Sequence, residues 1–219
     1  MDGAKEAVRT PLQALKTALG ESAVFYAPGL ADCRNPDPQA IPQAVVAAQK
    51  ADVVLAFVGE DAGLSGEARC RAFLDLPGAQ MELIKAVAHT GKPVAAIVMA
   101  GRPLTISGFV DRVQALLWAW HPGTLGGPAI VDLLLGKAIP SGHLPVTFPR
   151  TVGQVPMYYN QKNTGRPPKP GQKGTPTGTP LNPENFTSLH MDVDFTPQFP
   201  FGFGLSYTSF HYSPVSLSA

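Results

Sequence analysis

The chain has 219 residues, of which 44% are hydrophobic and 15% are charged, so its apolar side chains suffice for one substantial core. The formal net charge is +1 and the charged residues are spread along the chain, which argues against nucleic acid or an anionic membrane as a partner. A neutral or weakly charged small molecule fits this composition better.

The cysteines and the apolar runs indicate in which cellular compartment the chain is expected. Cys33 and Cys70 lack the spacing of a zinc site or a disulfide framework, and we interpret both as ordinary thiols. No stretch approaches the roughly 20 apolar residues of a membrane span, and the first residues lack the apolar segment of a signal peptide. The sequence as given therefore predicts a cytoplasmic protein.

Helical and strand patterns alternate along the first 135 residues. Apolar residues at helical spacing predict helices, and continuous apolar runs of strand length predict buried strands. They predict helices over 4–19, 41–50, 80–89 and 126–135, and strands over 23–27, 52–59, 93–99 and 113–120. This alternation predicts a doubly wound α/β fold, a three-layer sandwich with a mostly parallel sheet between helices.

Proline and glycine dominate the chain after residue 136. Residues 166–183 consist almost entirely of residues that break regular structure, which predicts an exposed, mobile loop. Aromatic residues return over 199–207, and we expect this segment to pack back on the domain. We therefore divide the chain into an α/β sandwich core over 1–150 and an extended tail over 151–219.

In open α/β sheets the binding crevice lies beyond the carboxyl ends of the strands. Three polar or glycine-rich loops leave predicted strands at that edge, over 59–61, 100–103 and 121–124. The first of these loops continues to Glu67, an acidic residue that stands between the turn-prone Ser65-Gly66 and the basic Arg69.

Eight short motifs occur in collinear order across nearly the whole chain. They are Val58-Gly59-Glu60, Gly66-Glu67-Ala68-Arg69, Leu76-Pro77-Gly78-x-Gln80, Gly101-Arg102-Pro103-Leu104, Trp120-x-Pro122-Gly123, Pro140-Ser141-Gly142-x-Leu144-Pro145-x-Thr147, Pro149-Arg150 and Phe201-Gly202-x-Gly204-Leu205-Ser206-Tyr207. In this order the chain resembles the C-terminal α/β sandwich domain of family 3 glycoside hydrolases, the bacterial periplasmic β-glucosidase type most closely.

The resemblance implies a preceding (β/α)8 barrel that supplies the aspartate nucleophile and most of the sugar pocket. None of that barrel is present, and the chain is expected to begin after the strand with which the domain usually opens.

By its place in the motif, Glu67 resembles the general acid/base of this family. A carboxyl in that role must be protonated before the leaving group departs, and partial burial would raise its pKa accordingly. The alternative is a solvated loop glutamate paired with Arg69 or Arg71.

Other polar residues near this edge are further candidates. Glu60 and Asp61 either orient sugar hydroxyls or cap the loop by accepting main-chain hydrogen bonds. Arg69 either contacts Glu67 or a substrate hydroxyl, or forms an exposed ion pair. Arg102 sits in a turn where its guanidinium can tie neighbouring loops together.

The remaining candidates are aromatic residues and histidines. Trp118 and Trp120 are predicted to share one face of a strand, and Trp120 is a candidate for lining a sugar site. His121 and His143 lack a second ligand at metal spacing, so no metal site is predicted. Residues 123–127 lack the spacing of a dinucleotide-binding loop, so we expect no cofactor.

The resemblance implies the acid/base-supplying domain of a retaining, exo-acting β-glucosidase, acting on a β-glucoside or short β-linked oligosaccharide in a periplasmic or secreted parent enzyme. Because the nucleophile is missing, the alternative is a non-catalytic fragment that binds sugar or self-associates without turnover. An unpaired sheet edge would favour a homo-oligomer.

Overall fold

A computed structural model describes residues 5–217 and contains a parallel three-stranded sheet. The strands are β1 (Val54–Gly59), β2 (Val94–Met99) and β3 (Ala115–Trp118), in spatial order β1-β2-β3. Val54 pairs with Val94 and Gly59 with Met99, so β1 and β2 run side by side along their whole length. The parallel sheet and the α/β fold predicted from the sequence are confirmed.

Four α-helices accompany the sheet. They are α1 (Pro11–Leu19), α2 (Ile41–Lys50), α3 (Gln80–Ala88) and α4 (Gly126–Leu134). The first is shorter than predicted because the side chains of Thr10 and Gln13 form a capping box that starts the helix at residue 11. Lys5–Ala7 forms a separate 3-10 turn, and residue 4 lies outside the described part of the chain. The helix ends at Gly20, as predicted.

The predicted strand over 23–27 was wrong. Glu21–Ala23 forms a 3-10 turn, and the residues after it have no regular structure. Phe25 and Tyr26 are 50% and 63% exposed, and none of the described strands pairs with this segment. A short apolar run becomes a strand only when a neighbour receives its main-chain hydrogen bonds, which composition does not reveal.

Alternate strand residues pack against α2 and α3. Ala56 and Val94 form a buried cluster with Ala48 of α2 and Val87 of α3. Ile97 points to the opposite face, because successive strand residues alternate, and it is fully buried as well. Both faces of the sheet are therefore covered. The third strand is shorter than predicted and only partly buried.

The segment after α4 packs back on the domain as predicted. The main-chain N–H of Phe148 donates to the carbonyl of Phe199 at 2.9 Å, and the Phe199 ring packs against the main core. The hydroxyl of Tyr207 donates to the carbonyl of Leu133 in α4 at 3.1 Å. Most of loop 166–183 is exposed, and its mobility stays a prediction, as does the boundary at residue 150. Among residues 5–217, no helix has the length and apolar character that crossing a bilayer requires.

Candidate functional site

The loops that follow the three strands meet at the carboxyl edge of the sheet. We call residues 61–71, which follow β1, the Glu67 loop. Arg102, from the loop after β2, donates to two carbonyls of the Glu67 loop, and His121, from the loop after β3, contacts Ser65. The parallel arrangement of the strands thus brings together residues 56 positions apart in the sequence.

The Glu67 loop has an unusual backbone conformation on both sides of Glu67. Gly66 has a φ of 122° and Ala68 a φ of 59°, while Glu67 itself is exposed. Alanine in the left-handed region costs roughly 1–2 kcal/mol relative to its ordinary conformations. Contacts elsewhere must therefore hold the backbone in this shape.

A buried carboxylate lies beneath the Glu67 loop. The Glu60 side chain has no exposed area and accepts hydrogen bonds from Arg71 at 2.6 Å and from Arg102 at 3.1 Å. Each oxygen of the carboxylate is bound to a different arginine, as a buried charge requires. This geometry favours a structural role for Glu60 over the predicted contact with a substrate.

Arg102 connects Glu60 to the Glu67 loop. Its Nε donates to Glu60, and its Nη2 donates to the carbonyls of Leu64 and Arg69, the latter at 2.9 Å. Leu64 precedes Glu67 and Arg69 follows it. Arg69 therefore takes part through its main chain, while its side chain is exposed.

The alternative interpretation of the sequence was an ion pair between Glu67 and either Arg69 or Arg71. Within residues 5–217, Arg71 forms one ion pair, which goes to Glu60, and Glu67 takes part in none. The described residues also do not supply the partial burial expected of an acid/base. Glu67 is thus an exposed carboxyl whose position depends on the loop that carries it.

Asp61 caps the start of the Glu67 loop. Its Oδ1 accepts a hydrogen bond from the main-chain N–H of Leu64 at 3.1 Å, and its Oδ2 lies 3.7 Å from Nε of Arg34. Asp61 and Glu60 also line a cavity of about 280 Å³ at the end of β1. Burial raises the pKa of the Cys33 thiol in this cavity, and the neighbouring Asp61 carboxylate adds to the increase.

Trp120 lies just beyond β3 and is half buried. Its φ of 51° is rare for a bulky residue, and its ring meets Trp118 edge-on with centroids 6.0 Å apart. Both rings also contact Phe148, so the two tryptophans belong to one aromatic cluster, although β3 ends at Trp118 and Trp120 is not on the strand as predicted. Trp120 remains a candidate for lining a sugar site.

Two contacts at this edge were not predicted. Nε2 of His121 lies 3.1 Å from Oγ of Ser65, and the Gly101 backbone passes so close that an added Cβ would lie 2.2 Å from that Oγ. Only the position of Ser65 and His121 after two strands of one sheet could have indicated their contact.

His143 bonds the carbonyl of Gly202 in the tail. No group of three potential metal-ligating side chains lies together within residues 5–217.

Comparisons with known proteins identify relatives of the chain. The sequence profile of the "Glycosyl hydrolase family 3 C-terminal domain" matches residues 2–207. The chain is 45% identical over 188 residues to a periplasmic beta-glucosidase of Salmonella typhimurium, covering 86% of this chain and 23% of that protein. It is 37% identical to a beta-xylosidase of Formosa agariphila over 94% of this chain and 26% of that protein.

A crystal structure of a β-glucosidase from Listeria innocua in complex with isofagomine superposes with a TM-score of 0.82. Its sequence identity is 34%, over 95% of this chain and 27% of that structure. The chain thus spans about a quarter of the length of the relatives it matches.

Proposed function

Because the chain belongs to the glycosyl hydrolase family 3 C-terminal domain family, we propose that it supplies the general acid/base of a retaining, exo-acting β-glucosidase. Glu67 is the proposed acid/base. The nucleophile is an aspartate in a (β/α)8 barrel that lies outside these residues. Retaining hydrolysis requires two carboxyl groups about 5 Å apart, so the site is assembled from two domains.

The chemistry proceeds in two steps. The aspartate attacks the anomeric carbon while Glu67 transfers its proton to the departing glycosidic oxygen, which leaves as an alcohol and yields a glycosyl-enzyme ester. Glu67, now a carboxylate, then removes a proton from water as that water attacks the anomeric carbon and displaces the aspartate. The enzyme returns to its starting protonation state, and the products are the alcohol and the free sugar.

The exposure of Glu67 carries this proposal. Of the acidic residues at the carboxyl edge, Glu60 is bound by two arginines and Asp61 caps its own loop. Glu67 is exposed and lies on a loop whose backbone is held on both sides. A carboxyl that must reach a substrate bound by another domain needs this combination of an accessible side chain and an ordered backbone.

The proposed substrate is a β-glucoside or a short β-linked oligosaccharide, because several relatives are named β-glucosidases. Asp61 and Trp120 are proposed to border the sugar, since Asp61 begins the Glu67 loop and Trp120 directly precedes His121, which contacts Ser65 of that loop. A periplasmic or secreted location is proposed for the parent enzyme from the name of the Salmonella relative.

A domain replacement tests this function. The chain is substituted for the matched segment of the Salmonella β-glucosidase, and kcat/KM is measured for one aryl β-glucoside with a poor leaving group and one with a good leaving group. Glu67→Gln is expected to lower kcat/KM by 10²–10⁴-fold for the poor leaving group and far less for the good one, which needs little protonation.

Two further variants sharpen that test. Glu67→Ala is expected to regain turnover of the activated substrate in azide, because azide attacks the glycosyl-enzyme without a general base. Glu184→Gln, which changes an exposed glutamate of the tail, is the matched control and is expected to match the parent. Equal losses with both leaving groups in Glu67→Gln would reject the acid/base role.

The alternative is a fragment that binds sugar without turnover. It is favoured by the fact that the chain spans about a quarter of its relatives. For the isolated chain we expect no hydrolysis of either glucoside. Hydrolysis that persists in Glu67→Gln would require a different pair of carboxyl groups.

A further inference from the structure

We propose that Arg102 is a positioning residue that holds the Glu67 loop, and with it the Glu67 carboxyl, in the reactive arrangement. This inference rests on the acid/base function proposed for Glu67. It assigns a role to a side chain that lies 35 positions from Glu67 and reaches the loop from a different strand.

The first step concerns what holds Glu67. No hydrogen bond or ion pair among residues 5–217 involves its side chain, so the path of the backbone sets the position of its carboxyl. That path contains Ala68 with a φ of 59°, which the residue does not adopt by preference. A local structure of this kind persists only where its surroundings impose it.

The second step concerns which group imposes the conformation. Nη2 of Arg102 bonds the carbonyls of both Leu64 and Arg69, which lie on opposite sides of Glu67. One planar guanidinium thus fixes the two ends of a six-residue arch. Arg71 also contacts Glu60, but its second bond goes to the carbonyl of Asp75, which lies outside the arch.

The third step explains the buried carboxylate. Arg102 can serve as an anchor only if it is itself immobile, and its Nε is held by Glu60 at 3.1 Å. Glu60 has no exposed side-chain area and is held in turn by Arg71 at 2.6 Å. A charge so fully removed from water is costly unless paired, and here the pairing extends to the loop above it.

The fourth step explains why lysine cannot replace Arg102. Lysine offers one ammonium group at the end of a flexible chain, whereas the guanidinium presents donors in a rigid fork. The Glu60 carboxylate and two carbonyls must be contacted at once, from different directions. We therefore expect lysine to preserve the pair with Glu60 and to lose the arch.

The test uses the domain replacement in the Salmonella β-glucosidase. In Arg102→Met, kcat/KM for the poor leaving group is expected to fall about 10- to 100-fold, because a misplaced acid transfers its proton poorly, while the good leaving group loses less than about threefold. Arg102→Lys is expected to recover only a small part of the loss.

The matched control is Arg150→Met. Arg150 also ties segments together, but its partners, the carbonyl of Thr196 and the side chain of Gln198, lie in the tail. This variant is expected to affect both leaving groups equally. The same equal loss in Arg102→Met would show a merely structural role and overturn the proposal.

Hydrogen exchange of the isolated 219-residue chain measures the order of the Glu67 loop independently of catalysis. Exchange over 64–71 is expected to speed up at least tenfold in Arg102→Met and to be unchanged in Arg150→Met. Unchanged exchange over this loop would overturn the inference, as would faster exchange without the leaving-group effect when Glu67→Gln shows that effect. If Glu67→Gln itself shows no leaving-group effect, both the proposed function and the positioning role of Arg102 are rejected. The exchange experiment still shows in that case whether Arg102 holds the Glu67 loop.

Discussion

Gln80 and Gly59 are joined by two hydrogen bonds through a single side-chain amide. The N–H of Gly59 donates to Oε1 of Gln80 at 2.7 Å, and Nε2 of Gln80 donates to the carbonyl of Gly59 at 2.8 Å. The next N–H along, that of Glu60, donates to Met99 in β2, so the groups of Gly59 point away from β2. The amide of Gln80 therefore takes the place of a neighbouring strand at the carboxyl end of β1, where the Glu67 loop begins.

Replacing Gln80 by leucine is expected to destabilise the fold strongly. Gln80 is 3% exposed and also donates to the carbonyls of Cys33 and Pro77, so Gln80→Leu leaves several buried main-chain groups without partners. We expect a loss of about 3 kcal/mol or more in the free energy of unfolding, measured by urea denaturation. The exposed Gln49→Leu in α2 is the control and should stay within about 0.5 kcal/mol. A loss below about 1 kcal/mol in Gln80→Leu would contradict this role.

Gly59 is expected to tolerate no side chain. An added Cβ would lie 1.9 Å from the carbonyl oxygen of Met99, and φ is +141°. Gly59→Ala must therefore separate β1 from β2 and is expected to cost about 3 kcal/mol or more. Gly142→Ala is the matched control, because nothing lies within 4 Å of its added Cβ and its φ is ordinary. Similar melting temperatures for the two variants would refute this prediction.

The two thiols are expected to react at very different rates. Burial raises the pKa of the Cys33 thiol, and the neighbouring Asp61 carboxylate adds to the increase, so a smaller fraction of Cys33 is the reactive thiolate than in an ordinary cysteine at the same pH. Cys70 is exposed. With an aromatic disulfide reagent at pH 8, Cys33→Ser, which retains Cys70, should react at least tenfold faster than Cys70→Ser, which retains Cys33. Asp61→Asn should speed up the reaction of Cys33, and no effect of that change would argue against the proposed electrostatic cause.

The free edge of β1 is expected to support self-association. β1 is an end strand of the described sheet, and Gln80 covers its outer edge only at Gly59. Exposed edges invite pairing with a second chain, so light scattering of the isolated chain should show an oligomer at high concentration. Val53→Lys places a charge beside this edge and should reduce the association, whereas Val46→Lys, at an equally exposed position on α2, should not. A strictly monomeric chain at every concentration would disprove this prediction.

Short-range patterns were sufficient for most of the fold. The buried strands β1 and β2 and the helices after residue 40 lie close to their predicted bounds, because period and apolar content are properties of neighbouring residues. The segment over 23–27 has the composition of a strand but no partner, and nothing within the segment could have revealed this.

The sequence by itself determined the α/β class, the family resemblance and the acidic residue at the carboxyl edge, since each depends on local composition or on the order of motifs. Only the tertiary structure decided what each polar residue contacts. Glu60 and Arg102 are 42 positions apart, and a parallel sheet could equally bring together many other pairs of distant residues. Which pair forms depends on the register of β1 against β2 and on the turn at the end of each strand. These long-range contacts determine that Glu60 is buried and that Glu67 is accessible.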